Sequence, residues 1–494
     1  MTLLRSKIIV VVLCLLPLIP LWYFDYLPLQ DYPNHFARLT ILSNFEHSDF
    51  YRQNFRVSFF QGISPLPYLA LDIFVTKCMP FLDIDKAIRV FTSLYIILYI
   101  VSLYLLAGQL KLDFNVLVLV NLPLMYSSFF HFGFLSFVFS IPLFLLTIWS
   151  LERYMINKNT LYVFLIGLFS LLMYLSHLFT TFIFFVFLFC HLFTRRLKIR
   201  EYVYVLAAIS PSLIFSINYL LLSTSYNPLS IIRYETVSEP FYYKIVLLTI
   251  PFSYLSFNLI IWYSLFFAFA IYIILRNSSF NNKLYLVSSA LFLFVYFILP
   301  LKAIGEHGID AYYLDVRFFL FTLILFPFSL QVKNNRNLDF ARVILYSLFL
   351  VSFWGLFHSF SDFNKNFSTA CASEIKQESS IFQINATQLK SGIRPYNNAW
   401  GYFYREREIL TPYLFQGPHI PIQYRNRPPL LSKFLVNQGN KEMEKELLYK
   451  LKENYNYILL IGNNSQMEEM ISSISHEICS EKLVRLYKIE KDIR

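Results

Sequence analysis

The chain has 494 residues, of which 56% are hydrophobic, 19% aromatic and 15% charged, and its mean hydropathy is +0.51. Soluble globular proteins carry about a quarter charged residues, so this composition excludes an ordinary cytosolic enzyme and a disordered chain. Lys and Arg number 42 against 31 Asp and Glu, which gives a net charge of +11. Because many of these basic residues fall in short gaps between apolar runs, the excess reflects membrane topology, and we expect no nucleic-acid partner.

The glycine content argues against a nucleotide site. The sequence has only 12 Gly, against 54 Phe and 36 Tyr, and it contains no GxG and no GK pair. Loops that cradle phosphates need glycine, because the backbone must come close to the ligand. We therefore expect no nucleotide partner, which excludes Walker-type and Rossmann-type sites and makes the chain a poor candidate for an ATP-driven pump.

Apolar runs of about 20 residues, the length of an α-helix that crosses a bilayer, recur up to residue 358. The first run ends in the bulky residues Leu21–Phe24 without a small-residue cleavage site, so we interpret it as an uncleaved anchor and not as a signal peptide. About eleven transmembrane helices are predicted. They lie at residues 8–24, 88–109, 114–130, 134–151, 160–177, 178–194, 203–222, 257–275, 284–301, 317–332 and 340–358.

Basic residues alternate between rich and poor gaps along these runs, and the cluster at residues 195–200 is the richest. If the N-terminus is cytoplasmic, the rich gaps are all cytoplasmic, as basic loops usually are. This requires that segment 65–82, which contains Asp72 and Lys77, lies on the outer surface as a helix without crossing. We expect a multi-pass protein of a bacterial inner membrane, with its C-terminal region outside the cytoplasm.

A polar region follows the last span. We therefore predict a transmembrane domain over residues 1–358, with a first outer loop at 25–87, and a small extracytoplasmic α/β domain over 359–494. Cys371 and Cys479 both fall in the second domain, where a disulfide would suit the compartment, although two cysteines alone leave their pairing open. The patterns predict a helix at 440–455, a strand at 456–462, a helix at 465–475 and a strand at 482–489.

The strongest local motif, QDYPNHFAR at residues 30–38, follows the first span. In a helix that begins near Tyr32, the side chains of Asp31, His35 and Arg38 stand at i, i+4 and i+7 on one face. The structural alternative makes Asp31 a helix N-cap and leaves the other two solvated. Because capping explains only Asp31, we interpret Asp31 and His35 as candidate catalytic residues and Arg38 as a candidate substrate contact.

A second candidate site precedes the tenth predicted span, where Glu306, Asp315 and Arg317 lie close together in the sequence. The guanidinium fork of Arg fits phosphate oxygens, and acidic neighbours would hold it in place. An Arg at the mouth of a span also snorkels to the interface with no further role. We expect Arg317 to contact a lipid-linked phosphate, with Glu306 and Asp315 beside it.

Two histidines fall in short turns that the predicted topology places on the outer side, together with Asp31 and Arg317. They are His131 and His177. A single His in such a turn is usually structural, and the functional alternative is a contact to the substrate phosphate. If the two converge with Asp31 and His35, the set would offer the nitrogen and oxygen ligands of a divalent cation.

This arrangement resembles the GT-C superfamily of membrane glycosyltransferases, relatives of which are protein O-mannosyltransferases and lipid A aminoarabinose transferases. The likeness lies in one span followed by an outer loop that opens with the acidic motif at Asp31. It extends to Ser64–Leu71, which is similar to the family's proline-and-tyrosine stretch, and to Asp85–Val90, where an Arg enters the second span. The sequence departs from the family at Tyr32, where a second acidic residue is frequent, and at His131, where the second outer loop often carries Asp.

The resemblance implies an α-helical polytopic membrane protein with a GT-C-like fold. It also implies transfer of a sugar from a polyprenyl-phosphate-linked donor to a lipid, glycan or protein acceptor on the outer face. The family's acidic residue acts on the acceptor hydroxyl, and Asp31 matches its position, so an inverting transfer with Asp31 as base is expected. Arg317, together with Lys302, His35 or a bound divalent cation, would then stabilise the leaving phosphate. A lipid carrier needs no nucleotide pocket.

Three other functions stay open at the level of sequence. Paired arginines on long outer loops, such as Arg425 and Arg427, would favour a lipid-linked glycan polymerase or ligase. A transporter or flippase would need a charged path through the membrane, and the central parts of the predicted spans carry no charged residue. A structural protein would bind a partner through its outer domain. In that domain, Trp400–Arg407 and Tyr424–Arg427 are expected to be solvated surface, with glycan contact as the alternative.

Overall fold

Helices predominate in the described part of the chain up to residue 366. The structure, a computed structural model, describes residues 7–194, 199–224, 241–299, 302–303, 311–333, 335–387, 391–415, 419–431 and 441–491. The helices of the membrane part and its loops are α1 Lys7–Leu15, α2 Leu18–Tyr23, α3 Tyr32–Asn44, α4 Asp49–Asn54, α5 Ala70–Ile73, α6 Ile84–Leu110, α7 Phe114–Met125, α8 Ser128–His131, α9 Leu135–Asn157, α10 Thr160–Ser176, α11 Leu178–Thr194, α12 Ile199–Thr224, α13 Phe241–Leu247, α14 Phe257–Arg276, α15 Lys283–Ile298, α16 Leu314–Leu325 and α17 Arg336–Asn366.

The predicted spans match these helices. Among the described residues, six helical stretches are long and apolar enough to cross a bilayer, and four shorter apolar helices accompany them. Each predicted span has a counterpart, namely the pair α1 and α2, then α6, α7, α9 to α12 and α14 to α17. Polar N-caps begin four of them, because a side-chain oxygen there accepts from the first turn's N–H groups; these caps are Asp83, Asp113, Asn159 and Asn335.

Several spans differ in extent from the prediction; for example, α7 ends at Met125 and α9 runs to Asn157. The first span is broken between α1 and α2 at Pro17, because proline lacks the N–H that a continuous helix needs. Helix α16 stops at Leu325, one residue before a short 3-10 turn that contains Pro327. Helix α17 runs to Asn366, past the predicted end at residue 358, and so carries the chain directly into the C-terminal domain.

The segment at residues 65–82 forms no membrane-length helix. Helix α5 has four residues and continues into a π-helical turn at Phe74–Cys78. Together these nine residues are too short to cross a bilayer at 1.5 Å per residue. Asp72 of α5 is fully buried, so its carboxylate points into the protein.

The β-strands are short outside the C-terminal domain. That domain has a five-stranded sheet in the order β12-β13-β11-β8-β9, with β8 parallel to both β11 and β9 and the other pairs antiparallel. The strands of the chain are β1 Phe55–Val57, β2 Phe60–Gln61, β3 Ser64–Pro65, β4 Ser278–Phe280, β5 Lys302–Ala303, β6 Ala311–Tyr312, β7 Leu330–Val332, β8 Ser379–Asn385, β9 Ile409–Leu410, β10 Ile422–Tyr424, β11 Tyr457–Ile461, β12 Ser475–Glu481 and β13 Val484–Ile489.

The predicted α/β elements of the C-terminal domain are present. Strands β11 and β13 and the helices Lys441–Asn454 and Ser465–Ser472 match the four predicted segments. The sequence does not predict strands β8, β9 and β12. In β8 the alternation of polar and apolar residues is weak, and its burial comes from its two parallel neighbours. The domain is therefore more sheet-rich than the sequence indicated.

The C-terminal domain packs on the first outer loop through a very close backbone contact. A Cβ atom at Gly401 would overlap the backbone of Pro33 in α3, so only glycine permits this approach. The aromatic residues around it, Trp400, Tyr402, Phe403 and Tyr404, are buried. The expectation of a solvated surface over Trp400–Arg407 is thus wrong for most of that stretch, because it forms the interface with α3.

A disulfide joins Cys371 to Cys479 across 108 residues of sequence. Cys371 lies in the short helical turn Ala370–Glu374 after α17, and Cys479 lies in the edge strand β12. The bond therefore fastens the outer edge of the sheet to the segment that leaves the membrane helix. The pairing that the sequence left open is decided by the fold, which brings the two ends of the domain together.

We expect replacement of Cys371 or Cys479 by Ser to lower the free energy of unfolding by about 2–4 kcal/mol, because the unfolded chain regains the entropy of a long loop. The midpoint of thermal unfolding in detergent measures this change. Cys78→Ser, at an exposed free thiol, is the matched control and should leave the midpoint unchanged. Labelling of Cys371 by a maleimide without prior reduction would contradict the disulfide.

Candidate active site

Asp31 occupies the N-cap position of α3 but does not cap the helix. Its side chain accepts no hydrogen bond from the first turn. Instead, Oδ1 accepts a hydrogen bond of 3.0 Å from Nδ2 of Asn398, in the C-terminal domain, and the residue is only 8% exposed. Burial raises the pKa of Asp31 to about 8, and the hydrogen bond from Asn398 partly opposes the rise. The carboxyl group is thus poised to exchange a proton near neutral pH.

A tight turn after α8 holds Asp31 in place. The backbone N–H of Asp31 donates to the carbonyl of Phe132 at 2.9 Å, and that of Gln30 donates to the carbonyl of His131 at 3.0 Å. Gly133 has a positive φ of 75°, and a Cβ there would lie 2.9 Å from the Asp31 nitrogen. This turn therefore links the chain before α3 to the chain after α8 at Asp31, at a position that requires glycine.

His35 lies one helical turn beyond Asp31 and packs against the same loop. Its Nε2 lies 3.1 Å from the carbonyl oxygen of Gly133, so Nε2 carries the proton and donates it. The buried Nδ1 has no hydrogen-bond partner among the described residues. Burial, with a further contribution from Arg38, lowers the pKa of His35 to about 3, so this imidazole is neutral and Nδ1 is an open acceptor.

Arg38 is paired with a carboxylate instead of being solvated. Its Nε and Nη2 donate to the two oxygens of Asp72 at 2.9 and 3.1 Å, and both side chains are almost completely buried. This fork-to-fork pair joins α3 to α5 and compensates both charges. Arg38 therefore acts first as a structural anchor of the first outer loop, and its Nη1 has no partner among the described residues.

Arg317 and His177 form a second pair. Nη1 of Arg317 donates to Nε2 of His177 at 3.2 Å, which leaves the His177 proton on Nδ1. Both the Arg317 Nε–H and the His177 Nδ1–H are buried donors without an acceptor in the described part of the chain. The guanidinium lies over three aromatic rings, with centroid distances of 5.6, 4.9 and 5.5 Å to Phe134, Phe137 and Phe179.

The expectation that acidic neighbours hold Arg317 is wrong for Asp315. This carboxylate is buried, and it pairs with Lys244 of α13 and accepts from the backbone N–H of Val316. Two residues apart on a helix, Asp315 and Arg317 point in different directions, because neighbours on one face are three or four residues apart. Glu306 lies outside the described residues, as do His307 and Asp310.

The expected cation site does not assemble from the described residues. The ring of His131 stacks on Tyr254 with centroids 4.3 Å apart, and His177 binds Arg317. Among the described residues, no three His, Cys, Asp or Glu side chains come close enough to share a metal ion. His131 contributes to the site through its backbone carbonyl, which accepts from Gln30.

One turn connects the two groups of side chains. The carbonyls of Phe132 and Gly133 bind Asp31 and His35, while the ring of Phe134, the next residue, contacts Arg317. The structure thus brings the Asp31 and His35 pair and the Arg317 and His177 pair to a single turn, although 286 positions separate Asp31 from Arg317 in the sequence.

Sequence reasoning missed three contributors to this region, namely Asn398, Tyr68 and His419. Tyr68 has a left-handed φ of 71°, which is rare for a residue with a side chain, and its ring lies between His177 and His419. His419 stands between prolines in Pro418-His419-Ile420-Pro421, which restrict the local backbone and give a weak signal. Asn398 carries no recognisable signal, because only tertiary packing brings it to Asp31.

Arg425 and Arg427, the paired arginines of the C-terminal domain, are engaged with the backbone. The Nε of Arg425 donates to the carbonyls of Arg52 and Phe55, each at 3.0 Å. Arg427 donates to the carbonyl of Pro412 through Nε and Nη2. Arg425 thus binds the C-terminal domain to the first outer loop, and Arg427 binds two segments of the domain to each other. The observation that favoured a polymerase or ligase is thereby removed.

Comparison with known proteins supports the architecture. No protein-family sequence model matches the chain, and no curated protein is significantly similar to it in sequence. A solved structure, that of ArnT from Cupriavidus metallidurans bound to undecaprenyl phosphate, aligns with 97% of both chains at a TM-score of 0.54 and 9% sequence identity. At this identity the likeness concerns the fold alone. The expected polytopic GT-C-like fold with a small C-terminal sheet is confirmed.

We expect Asp72→Asn to destabilise the protein, because Arg38 would remain as a buried cation without a carboxylate. Removing one partner of a buried ion pair costs about 3–5 kcal/mol, which is measured as a lower midpoint of thermal unfolding in detergent. Asp49→Asn, which breaks an exposed pair with Arg52, is the control, with a cost of about 0–1 kcal/mol. Equal midpoints for the two variants would refute the anchoring role.

Proposed function

We propose that the protein is a membrane glycosyltransferase. It moves a sugar from a polyprenyl-phosphate-linked donor to a hydroxyl of a lipid, glycan or protein acceptor on the outer face of a bacterial inner membrane. The N-terminus is cytoplasmic in this proposal, and the C-terminal domain is extracytoplasmic. The observation that carries it is the Arg317 and His177 pair, which presents two buried N–H donors without an acceptor in a GT-C-like fold.

The buried cations in the described part of the chain differ from Arg317 in their partners. Every Lys or Arg that is buried in the described part of the chain has a carboxylate partner. These pairs are Arg38 with Asp72, Arg89 with Asp85, Lys244 with Asp315, and Arg342 with Asp113 and Asp339. Arg317 is half-buried and has aromatic rings where a carboxylate would stand. A cation without its counter-charge, with donors to spare, suits an incoming phosphate.

The binding partner of the similar structure agrees with this chemistry. ArnT was solved with undecaprenyl phosphate, a lipid with one phosphate headgroup at the membrane surface. A polyprenyl phosphate would offer the same headgroup to Arg317 and His177, with its chain in the bilayer. This agreement supports a lipid-phosphate carrier as the donor for this chain.

Asp31 is the candidate base. Its Oδ1 is held by Asn398, and Oδ2 has no partner among the described residues and is therefore the oxygen available to an acceptor. An acceptor hydroxyl is a poor nucleophile until a base within hydrogen-bond reach takes its proton. The open Nδ1 of His35, one turn away, provides an acceptor for a second hydroxyl of the same sugar or lipid.

The proposed reaction is a single displacement. The acceptor oxygen forms a bond to the anomeric carbon while the bond from that carbon to the phosphate oxygen breaks, and Asp31 receives the hydroxyl proton. The polyprenyl phosphate leaves as a monoester, and Arg317 stabilises the charge that develops on it. Attack from the side opposite the leaving group inverts the configuration at the anomeric carbon.

Two other functions remain as alternatives to be tested. A transporter or flippase would bind the same phosphate without transferring the sugar, so it predicts that Asp31 can be neutralised without loss of function. A polymerase or ligase would use the same two pairs with a lipid-linked oligosaccharide as donor. The structure adds no specific observation in favour of either.

We expect Arg317→Gln to weaken binding of a polyprenyl phosphate by about 100-fold, because a charge-assisted contact to the phosphate is lost. The measurement is the affinity of the detergent-solubilised protein for farnesyl phosphate, with farnesol as the uncharged reference ligand. Arg336→Gln, at an exposed position that begins α17, is the matched control.

Equal affinities of the wild-type protein for farnesyl phosphate and farnesol would overturn the proposed phosphate site. Unchanged affinity in Arg317→Gln would remove Arg317 from it.

The rate of transfer is expected to rise with pH through about 8, because Asp31 acts as a base only when ionised and its pKa is raised to about 8. The measurement is the initial rate of polyprenyl phosphate release at limiting donor in membrane vesicles, followed by mass spectrometry. Asp31→Asn should reduce the rate by about 100-fold or more, the usual contribution of a general base, and should abolish this pH dependence.

Asp25→Asn is the control, since Asp25 lies in the same loop but is exposed. Normal rates and an unchanged pH profile in Asp31→Asn would exclude Asp31 as the base and favour transport.

A further inference from the structure

The chain on both sides of His419 is bound to the first outer loop. On its N-terminal side, Asn34 of α3 donates to the carbonyl of Tyr413 at 2.9 Å and accepts from the N–H of Phe415 at 3.1 Å. On its C-terminal side, strand β10 pairs with β1 of the first outer loop, and the N–H of Ser58 donates to the carbonyl of Pro421 at 2.8 Å. The position of this histidine is thus fixed by the first outer loop.

The rings of three residues are in contact beside Arg317. Tyr68 packs edge-on against His177 with centroids 4.6 Å apart, and it packs at a tilt against His419 with centroids 4.9 Å apart. The backbone of Tyr68 adopts the left-handed region at φ 71°, a strained conformation that persists only where the surroundings impose it. Strain of this kind concentrates at functional sites, and here it places a tyrosine between two histidines.

The polar atoms of this cluster are open. Neither ring nitrogen of His419 nor the hydroxyl of Tyr68 has a hydrogen-bond partner among the described residues. The adjacent Nδ1–H of His177 and Nε–H of Arg317 are also without acceptors there. His476, on the same domain, is different, because its Nδ1 lies 3.2 Å from a carboxylate oxygen of Glu490.

Arg38, which is itself paired with Asp72, is the cation that acts on His419, and no carboxylate is paired with His419 in the described part of the chain. Burial lowers the pKa of His419 to about 4, and Arg38 adds to this effect. Burial, Arg317 and His419 likewise hold the pKa of His177 well below its usual range. The charged and titratable groups facing His419 are Arg38, Tyr68 and His177, with Arg317 behind the last. A phosphate dianion among them would offset the repulsion.

We propose that His419 of the C-terminal domain completes the phosphate site begun by Arg317 and His177, and that its imidazole N–H donates a hydrogen bond to the phosphate of the lipid carrier. This inference rests on the proposed function. The C-terminal domain then has a direct part in binding the donor, beyond holding Asp31 through Asn398. The site closes around the phosphate from three directions, namely α16, the turn between α10 and α11, and the segment that precedes β10.

The test compares His419→Phe with His476→Phe in the full-length protein. Phenylalanine keeps a ring against Tyr68 and removes only the ring nitrogens, so the fold is preserved and thermal unfolding in detergent verifies this. We expect His419→Phe to bind farnesyl phosphate about 10- to 100-fold more weakly than the wild-type protein and farnesol with the same affinity. His476→Phe should match the wild-type protein for both ligands.

A second measurement is independent of affinity. With ¹⁵N-labelled histidine, addition of farnesyl phosphate should shift the His419 ring resonances and raise the pKa of His419, whereas addition of farnesol should change neither.

The outcomes separate this inference from the proposed function. If the wild-type protein binds farnesyl phosphate, Arg317→Gln loses the binding and His419→Phe retains it, the role of His419 is refuted and the phosphate site stands. If the wild-type protein binds farnesyl phosphate no better than farnesol, both proposals fail. A chemical shift of His419 that is unaffected by bound farnesyl phosphate would also overturn the inference.

Discussion

The close contact between Gly401 and the backbone of Pro33 is the constraint on which the candidate site depends. It brings the C-terminal domain against α3, where any larger side chain would overlap Pro33. This contact allows Asn398 to donate a hydrogen bond to Asp31. It also allows Asn34 to form two hydrogen bonds with the segment that leads to His419. The C-terminal domain is therefore part of the site, because it supplies the side chain that holds the Asp31 carboxylate.

Charge compensation is a second constraint on the fold. The buried cations of the described chain are compensated by carboxylates, as Arg38 is by Asp72, because an unpaired buried charge is costly. Arg317 is half-buried and has a neutral histidine and aromatic rings as its neighbours in place of a carboxylate. Such an arrangement is expected where a ligand supplies the missing charge. Arg38 of the QDYPNHFAR motif has a carboxylate partner and a structural role, whereas Arg317, which we assign to the phosphate, has none.

Sequence reasoning recovered the membrane helices because apolar runs of bilayer length are a local signal. It also singled out Asp31, His35 and Arg317, since charged residues and histidines are rare near the spans. It misjudged the neighbours of these residues. Asp315 pairs with Lys244, 71 residues away, and no periodicity in the sequence reports a contact between side chains on separate helices.

The sequence by itself determined the polytopic helical class, the α/β character of the C-terminal domain and a short list of chemically able residues, because hydropathy and periodicity act over neighbouring residues. Only the tertiary structure decided which of them meet. It showed that Asp31 leaves its own helix uncapped and is held by Asn398, that Arg38 is a buried anchor, and that His419 reaches the Arg317 pair. The physical reason is that each of these contacts joins residues far apart in the chain, through packing that no local pattern encodes.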